Sequence, residues 1–340
     1  MSYKQHNEAK VQDCSKPLPT IGGVEPVDTG LADIIDSDAP IEVIATGFSW
    51  TEGPAWDVQR DQLYFSDIPE NRIYVWKSIS GLSIFLEPGG RENPGGNEFA
   101  MPGTNGLFMS DDDTLLICNQ DARSVDRLHL RNMSRTVVAA NLEGAAFNSP
   151  NDVISSLSGY VYFTDPPFGL KQREPYVGME LDFHGVYRVN LDGRVYADVQ
   201  DMSFPNGLVF TPDEQYLYVS QSDKKSQIIK KFAVKSDGSL GAGRVFFDAI
   251  GFSVAGSPGL PDGMTVDAKG NLFATVAGGV AVISPVGTLL GRIATGKATA
   301  NCTFGEDGHS LFITAHDTLL RVRTKTRGLG FEECRAKKNS

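Results

Sequence analysis

Cysteine is scarce in this sequence, and it has no long apolar run. The chain has four cysteines among 340 residues and no C-x-x-C pair, which excludes a zinc knuckle and a thioredoxin-like motif. Cys118 and Cys302 stand in apolar, strand-like segments, so we predict buried free thiols there. No apolar run approaches the length of a membrane span, and residues 1–10 show no apolar signal-peptide core. We therefore expect a cytoplasmic protein with no membrane partner.

Positive charge is also in short supply. Lys and Arg number 31 against 42 Asp and Glu, which gives a formal net charge of -11. Nucleic acids and anionic membranes bind clustered Lys and Arg, so this balance excludes both as expected partners. The sequence leaves the oligomeric state open.

Sustained helical periodicity is rare in the chain. From Ile41 onward, short apolar runs alternate with Gly, Asn, Asp and Pro, a texture typical of a β-sandwich, barrel or propeller. Residues 1–40 are polar and contain Pro17, Pro19, Pro26 and Pro40. They are interpreted as an N-terminal arm that is extended over the domain or partly disordered. The predicted organisation is an arm at 1–40, a β domain at 41–330 and a C-terminal tail at 331–340.

An internal repeat distinguishes among these all-β folds. Six segments each begin with a carboxylate or amide residue, continue as an apolar strand, and are followed by a polar turn and a second strand such as Leu63-Tyr-Phe-Ser. The repeats start at Glu52, Asn105, Asn151, Asn206, Asp262 and Asn301. Successive starts lie 39 to 56 residues apart, the length of one four-stranded blade with its loops. The fold class predicted is therefore an all-β, six-bladed β-propeller.

Such a ring has to close, because an open sheet edge invites aggregation. After Leu311 to Ala315 the sequence offers one more clear strand, Thr318 to Arg323, so the last blade lacks a strand. We predict that the early strand Ile41 to Thr46 completes it.

The residue that starts each repeat should point to the axis, because the first strand of each blade lines the central channel. Carboxylates held together there without a cation would repel one another and shift their pKa values upward. Two carboxylates and several amide oxygens, with no clustered Cys or His, suit one hard divalent cation. Ca²⁺ is favoured, Mg²⁺ or Mn²⁺ come next, and Zn²⁺ comes last because it prefers His or Cys.

A plainer interpretation exists for each position alone. Asn-Gly and Asp-Gly are common turn dipeptides, so any one of them is more often a turn than a ligand. Their recurrence at the same place in successive repeats favours the metal interpretation for the set.

Several longer motifs resemble a known family, the SMP-30/gluconolactonase/LRE-like superfamily, and its gluconolactonase type in particular. The resemblance spans residues 41 to 328. The motifs are Gly47-Phe-Ser-Trp-Thr-Glu-Gly-Pro, Phe65-Ser-Asp-Ile-Pro, Ser149-Pro-Asn-Asp-Val, Tyr162-Phe-Thr-Asp-Pro-Pro-Phe-Gly, Pro205-Asn-Gly-Leu, Pro261-Asp-Gly-Met and Ala300-Asn-Cys-Thr-Phe-Gly.

The resemblance implies a six-bladed propeller with a divalent metal on its axis. By motif, the metal ligands would be Glu52, Asn151, Asn206 and Asp262. Asn105 and Asn301 would bind substrate or hold water, and the Phe168 loop, with Pro166 and Pro167, would border the mouth of the site.

Two positions depart from the family pattern. Ser149 stands where the animal regucalcin branch has a sugar-binding Arg, and Asn119-Gln120 stands where many bacterial members have Glu-His. The identity of the lactone therefore stays open. Among the five histidines, His316 follows a strand of the last blade and could reach the channel mouth.

The function predicted is metal-dependent opening of a sugar-acid lactone by attack of water on a polarised carbonyl. Asp262 is the favoured catalytic base, and Glu52 is the alternative. Two other functions remain open: a phosphotriesterase or a lactonase for other lactones, and a metal-binding regulatory propeller without turnover.

Overall fold

The structure is a computed structural model that describes residues 9–12, 17–92, 99–111, 113–171, 176–253 and 256–331. Its two short 3₁₀ helices cover Thr29–Asp33 and Ile250–Phe252, and strands make up the other regular elements of these residues. In this described portion, no helix has the length and apolar character needed to cross a membrane.

Three strands precede the first repeat. They are β1 (Lys10–Val11), β2 (Gly23–Pro26) and β3 (Glu42–Thr46). Each of them pairs with a blade built from residues much later in the chain.

Six antiparallel sheets form the ring, one for each repeat. Blade one contains β4 (Thr51–Asp57), β5 (Gln62–Asp67), β6 (Arg72–Lys77) and β7 (Gly81–Leu86). Blade two contains β8 (Thr104–Asp111), β9 (Thr114–Asn119), β10 (Ser124–His129) and β11 (Ser134–Ala139), followed by the small hairpin of β12 (Asn141–Leu142) and β13 (Ala145–Ala146). Blade three contains β14 (Val153–Ser155), β15 (Val161–Asp165), β16 (Gly185–Val189) and β17 (Val195–Val199).

The second half of the ring repeats this plan. Blade four contains β18 (Pro205–Phe210), β19 (Tyr216–Asp223), β20 (Ser226–Ala233) and β21 (Arg244–Asp248). Blade five contains β22 (Met264–Val266), β23 (Leu272–Val276), β24 (Gly279–Ile283) and β25 (Leu289–Ala294). Blade six contains β26 (Asn301–Gly305), β27 (Ser310–Ala315) and β28 (Thr318–Arg323). The six-bladed β-propeller predicted from the repeat is confirmed.

The early strand closes the ring as predicted. β3 pairs antiparallel with β28, placing Ala45 opposite Leu319 and Thr46 opposite Thr318. The arm adds two further strands, since β1 pairs with the outer edge of β3 and β2 pairs with the outer edge of β25. Blades five and six are therefore five-stranded.

The apolar cores lie between neighbouring blades. The middle strands of each blade are buried on both faces, so their sequences read as continuous apolar runs such as Leu115-Leu-Ile-Cys. Where blade one meets blade six, Trp56 stacks on Phe312 with the ring centroids 5.4 Å apart. Cys118 and Cys302 are buried free thiols, as predicted. The tail that the sequence predicts at 331–340 lies outside the described residues from position 332 onward.

Candidate functional site

The six residues that begin the repeats all lie where the innermost strand of a blade starts, at one end of the channel. Glu52, Asn105, Asn206 and Asn301 lie within β4, β8, β18 and β26, and Asn151 and Asp262 lie two residues before β14 and β22. Asp262 is half-buried and the other five are buried. The prediction that these side chains share one end of the channel agrees with this arrangement.

Glycine follows the site residue in four of the repeats, and the structure shows why. A Cβ atom on Gly106 would lie 2.6 Å from the backbone oxygen of Asn151, and one on Gly207 would lie 2.4 Å from that of Asp262. Both glycines have ordinary φ angles, so their role is close packing of adjacent inner strands and not a turn. The turn interpretation of these dipeptides is therefore wrong.

Acidic residues at the ends of second strands hold the loops that lead to the site. The Asp165 carboxylate accepts hydrogen bonds from the backbone N–H groups of Asn148 and Ser149, both at 2.7 Å, just before Asn151. In blade one, Asp67 accepts the N–H groups of Ser49 and Trp50 in the same way. This explains the recurring Ser/Thr-Asp motif at the ends of β5 and β15.

Three carboxylates meet near the axis, one more than the sequence analysis identified. Asp152 occupies the place taken by glycine in four other repeats, and its carboxylate accepts N–H bonds from Val153 at 3.0 Å and Leu208 at 3.3 Å. A side-chain hydrogen bond also joins it to Asn301. The departure from glycine in the third repeat was the signal available in the sequence.

Burial raises the pKa values of all three carboxylates. It raises the pKa of Glu52 to about 8, and the Asp152 charge adds to that shift. Burial likewise raises the pKa of Asp152 to about 7. Burial, together with the charges of Glu52 and Asp152, raises the pKa of Asp262 well above its usual range. Within the described ranges no Lys, Arg or His pairs with these carboxylates, so no positive charge of the chain offsets their burial.

The Asn206 side chain adds a buried amide oxygen to this group. The Asn206 side chain donates through Nδ2 to the hydroxyl of Ser222 at 2.9 Å, which fixes its orientation. Its Oδ1 atom is buried and has no hydrogen-bond partner in the described structure. A buried carbonyl oxygen without a donor is costly unless a cation or water meets it.

The donor atoms of these residues suit a hard cation, with both carboxylate and amide oxygens as its ligands. Among the residues that the structure describes, no group of three or more His, Cys, Asp or Glu side chains is arranged to hold a metal ion. Asn side chains would therefore have to supply part of the coordination. Carboxylate and amide oxygens are the ligands that Ca²⁺ takes most readily.

The remaining predicted residues surround this centre. Asn301 forms side-chain hydrogen bonds with Glu52 and Asp152, and its Oδ1 accepts the N–H of Cys302 at 2.8 Å. Asn105 donates to Gln120 Oε1 at 3.4 Å, and the Gln120 Nε2 group is buried with no partner among described residues. Asn301 thus belongs to the carboxylate cluster, whereas Asn105 belongs to a neighbouring amide pair.

An aromatic stack lies at the site end of blades three and four. Phe168 is half-buried in the loop between β15 and β16 and stacks on Phe204 at 5.6 Å, and Phe204 in turn stacks on His184 at 5.2 Å. Phe204 lies two residues before Asn206. The predicted position of Phe168 at the border of the mouth is consistent with this stack.

A second group lies at the same end of blades one and six. The Trp50 side chain forms a hydrogen bond with the Glu52 carboxylate, and its ring lies edge-on to His316 with centroids 5.3 Å apart. Asp317, beside His316, forms a 2.5 Å ion pair with Lys297.

A family model described as the SMP-30/Gluconolactonase/LRE-like region matches residues 50–317. The chain belongs to this family. The match runs from Trp50, just before the first site residue, to Asp317 in the last blade, so the SMP-30/gluconolactonase/LRE-like assignment made from the motifs is confirmed.

Relatives within the SMP-30/gluconolactonase/LRE-like family include a gluconolactonase from Zymomonas mobilis, which is 40% identical over 91% of this chain and 88% of its own length. A solved structure of a gluconolactonase from Xanthomonas campestris is 31% identical, covers 91% of this chain and 99% of its own, and superposes with a TM-score of 0.76. A calcium-binding regucalcin from Agrobacterium tumefaciens shares the fold at 19% identity, with a TM-score of 0.65.

Proposed function

We propose that this chain is a lactone hydrolase of the gluconolactonase type that opens a sugar-acid lactone to the hydroxy acid. The observation that carries the proposal is one end of the channel, where three carboxylates, among them the half-buried Asp262, meet an Asn206 oxygen that has no partner in the described structure. The 40% identical gluconolactonase supports the same reaction. An acidic protein with no basic cluster suits a small, uncharged substrate.

One divalent metal ion is part of the proposal, with Glu52, Asn151, Asn206 and Asp262 as the residues that would hold it. Ca²⁺ is the favoured ion because all these ligand atoms are oxygens and the site is rich in carboxylates. When bound, such an ion would polarise the lactone carbonyl and stabilise the charge that develops on its oxygen.

Asp262 is the favoured proton acceptor for the attacking water. Glu52 is already engaged by the N–H of Gly53 at 3.0 Å and by side-chain hydrogen bonds from Asn301 and Trp50. Asp262 also accepts hydrogen bonds, from the Gly263 N–H and the Asn206 side chain, but unlike Glu52 it is half-buried and therefore reachable from the mouth.

Asn105, Asn301 and Phe168 are proposed to contact the substrate. Asn105 belongs to a buried amide pair whose Gln120 Nε2 has no partner in the part of the chain described here, so a substrate hydroxyl oxygen would satisfy it. The Phe168 ring offers an apolar face that suits the C–H face of a sugar ring.

The test is hydrolysis of D-glucono-1,5-lactone at mildly acidic pH, where spontaneous opening is slow. The protein is assayed as purified, after EDTA, and after return of Ca²⁺, Mg²⁺, Mn²⁺ or Zn²⁺. We expect EDTA to abolish turnover and Ca²⁺ to restore it. Asp262→Ala should lower kcat/KM by about 10²-fold or more, the usual contribution of general base catalysis.

Asp192→Ala is the matched control, because Asp192 is exposed and lies in the turn between β16 and β17 of blade three. Its activity should equal that of the wild type. Turnover that survives EDTA, or an unimpaired Asp262→Ala variant, would contradict the proposed site.

A further inference from the structure

The turn between β27 and β28 places a histidine at the mouth of the site. His316 and Asp317 form this two-residue turn, and His316 has a φ of 55°, in the left-handed region where Asn, Asp and His are enriched among non-glycine residues. The turn geometry therefore accommodates histidine at this position.

The backbone of His316 is tied to the start of the innermost strand of blade one. Its carbonyl oxygen accepts the N–H of Thr51 at 2.8 Å and the Thr51 hydroxyl at 3.0 Å. Thr51 directly precedes Glu52, so these bonds fix the turn one residue from the carboxylate cluster. The His316 ring is therefore carried by a rigid part of the ring closure and not by a free loop.

The imidazole of His316 contacts Trp50 and is otherwise largely exposed to solvent. Its ring lies perpendicular to Trp50, which itself bonds to Glu52, and the His316 side chain is 51% exposed. It can therefore exchange protons with solvent while one face is held against the site. Imidazole is also the side chain that most often transfers protons in enzyme catalysis.

The charges that face His316 come from its own turn and from two neighbouring elements. Asp317 Oδ1 lies 3.6 Å from His316 Nδ1 and also accepts the Thr318 hydroxyl at 2.8 Å. Lys297, in the loop between β25 and β26, pairs with the same oxygen, and Glu52 lies behind Trp50.

These contacts keep Asp317 ionised. Burial opposes ionisation of Asp317, yet the hydrogen bonds from Lys297 and Thr318 outweigh it and lower its pKa. The ionised Asp317 carboxylate therefore lies on the Nδ1 side of the His316 ring.

We propose that His316 is the general acid that protonates the leaving ring oxygen when the lactone opens. This proposal rests on the proposed lactonase function. Water forms the new bond to the carbonyl carbon and gives its proton to Asp262. The bond from that carbon to the ring oxygen breaks, the electron pair stays on the ring oxygen, and His316 Nε2 gives it a proton. Asp262 then releases its proton to solvent, solvent returns a proton to His316, and the product leaves as a hydroxy acid.

The experiment compares wild type and His316→Gln by pH profiles of kcat/KM on D-glucono-1,5-lactone with saturating metal. We expect wild-type activity to fall as the pH rises, because a general acid must be protonated to act. His316→Gln should lose this limb and about 10²-fold in kcat, with unchanged metal affinity and melting temperature. His129→Gln is the control, because His129 is half-buried at the opposite end of blade two.

A second measurement uses an aryl lactone, dihydrocoumarin, whose phenolate leaving group needs little protonation. The His316→Gln loss should shrink to a few fold on this substrate if His316 acts as an acid. An equal loss on both lactones, or a His316→Gln variant with wild-type rates and the same alkaline limb, would overturn the assignment. A wild type without lactone turnover would instead overturn the proposed function, and this inference with it.

Discussion

At the scale of single residues, the site depends on atoms whose bonding is incomplete within the chain. Asn206 is the clearest case, because Ser222 anchors its amide nitrogen while its oxygen has no partner in the described structure. Burial of such an oxygen costs free energy that a bound cation would recover. Folding thus prepares a ligand in its binding orientation.

The role of Asn206 can be tested by Asn206→Ala. We expect metal affinity to fall at least tenfold, since a prepared oxygen ligand is lost. Calorimetric titration of the EDTA-treated protein with Ca²⁺ measures this. The metal-induced gain in unfolding free energy should shrink by about 1.4 kcal/mol for each tenfold loss.

Ser222→Ala separates the oxygen from its orientation. This variant keeps the Asn206 oxygen but removes the hydroxyl that anchors Nδ2, so its affinity should lie between wild type and Asn206→Ala. Equal Ca²⁺ affinity in all three proteins would exclude Asn206 as a ligand.

The sequence predicted a site formed by the residues that begin each repeat, and this stays a prediction, but it did not single out Asp152. Repetition identifies a position that several blades share, whereas Asp152 matters because one blade departs from the shared glycine. The His316 side chain shows a second limit. Its contact with Trp50 joins blades six and one, and that neighbourhood exists only when the ring closes.

At the scale of strands, adjacent inner strands approach so closely that only glycine fits between them at several places. The backbone N–H of Gly106 donates to the backbone carbonyl oxygen of Asn151 at 2.7 Å. The Ser220 hydroxyl donates to the backbone carbonyl oxygen of Asp262 at 2.8 Å. The same bonds that join the blades thus fix the backbone of the site residues. Blade packing and site geometry are therefore coupled.

This coupling predicts the effect of Gly207→Ala. The new methyl group would lie 2.4 Å from the Asp262 carbonyl oxygen, so the strands must separate. We expect a loss of about 1–3 kcal/mol in the free energy of unfolding, as for other overpacked sites, together with weaker Ca²⁺ binding. Urea unfolding and calorimetric titration measure the two effects.

Gly251→Ala is the control, because a methyl group there meets no atom within 4 Å and the φ angle is ordinary. Its stability and affinity should match wild type. If Gly207→Ala lowered stability but left Ca²⁺ affinity intact, the coupling between strand spacing and site geometry would be refuted.

The N-terminal arm contains two strands that the sequence pattern did not predict. β1 and β2 are two and four residues long and largely exposed, so they carry no apolar signal that distinguishes them from a loop. They attach through backbone hydrogen bonds at the open edges of blades five and six, which depend little on side-chain identity. Closure by β3 was predictable because the last repeat has one strand fewer than a four-stranded blade requires.

At the scale of the whole molecule, the ring is held shut by one pairing between distant segments. β3 and β28 join residues 42–46 to residues 318–321, whereas β2 adds a fifth strand that the ring does not need. The two N-terminal strands should therefore differ sharply in their importance for stability.

Proline substitution tests this difference, because proline removes a backbone donor from a strand. Ala45→Pro in β3 should lower the free energy of unfolding by about 3 kcal/mol or more, since it breaks the closing ladder. Val24→Pro in β2 should have a clearly smaller effect. Urea denaturation of both variants measures the difference. Equal losses in the free energy of unfolding would mean that the closing pair contributes no more to stability than β2 does.

The pairing of β3 with β28 also sets an order of events during synthesis. β3 is synthesised before the other five blades and its partner β28 after them, so blade six cannot assemble until β28 has been made. Until then β3 presents an unpaired edge, a species that chaperones commonly protect. His316 occupies the turn next to β28, so the mouth of the site takes shape in the same late step. A chain halted before residue 318 would contain every residue of the carboxylate cluster and yet lack a finished site.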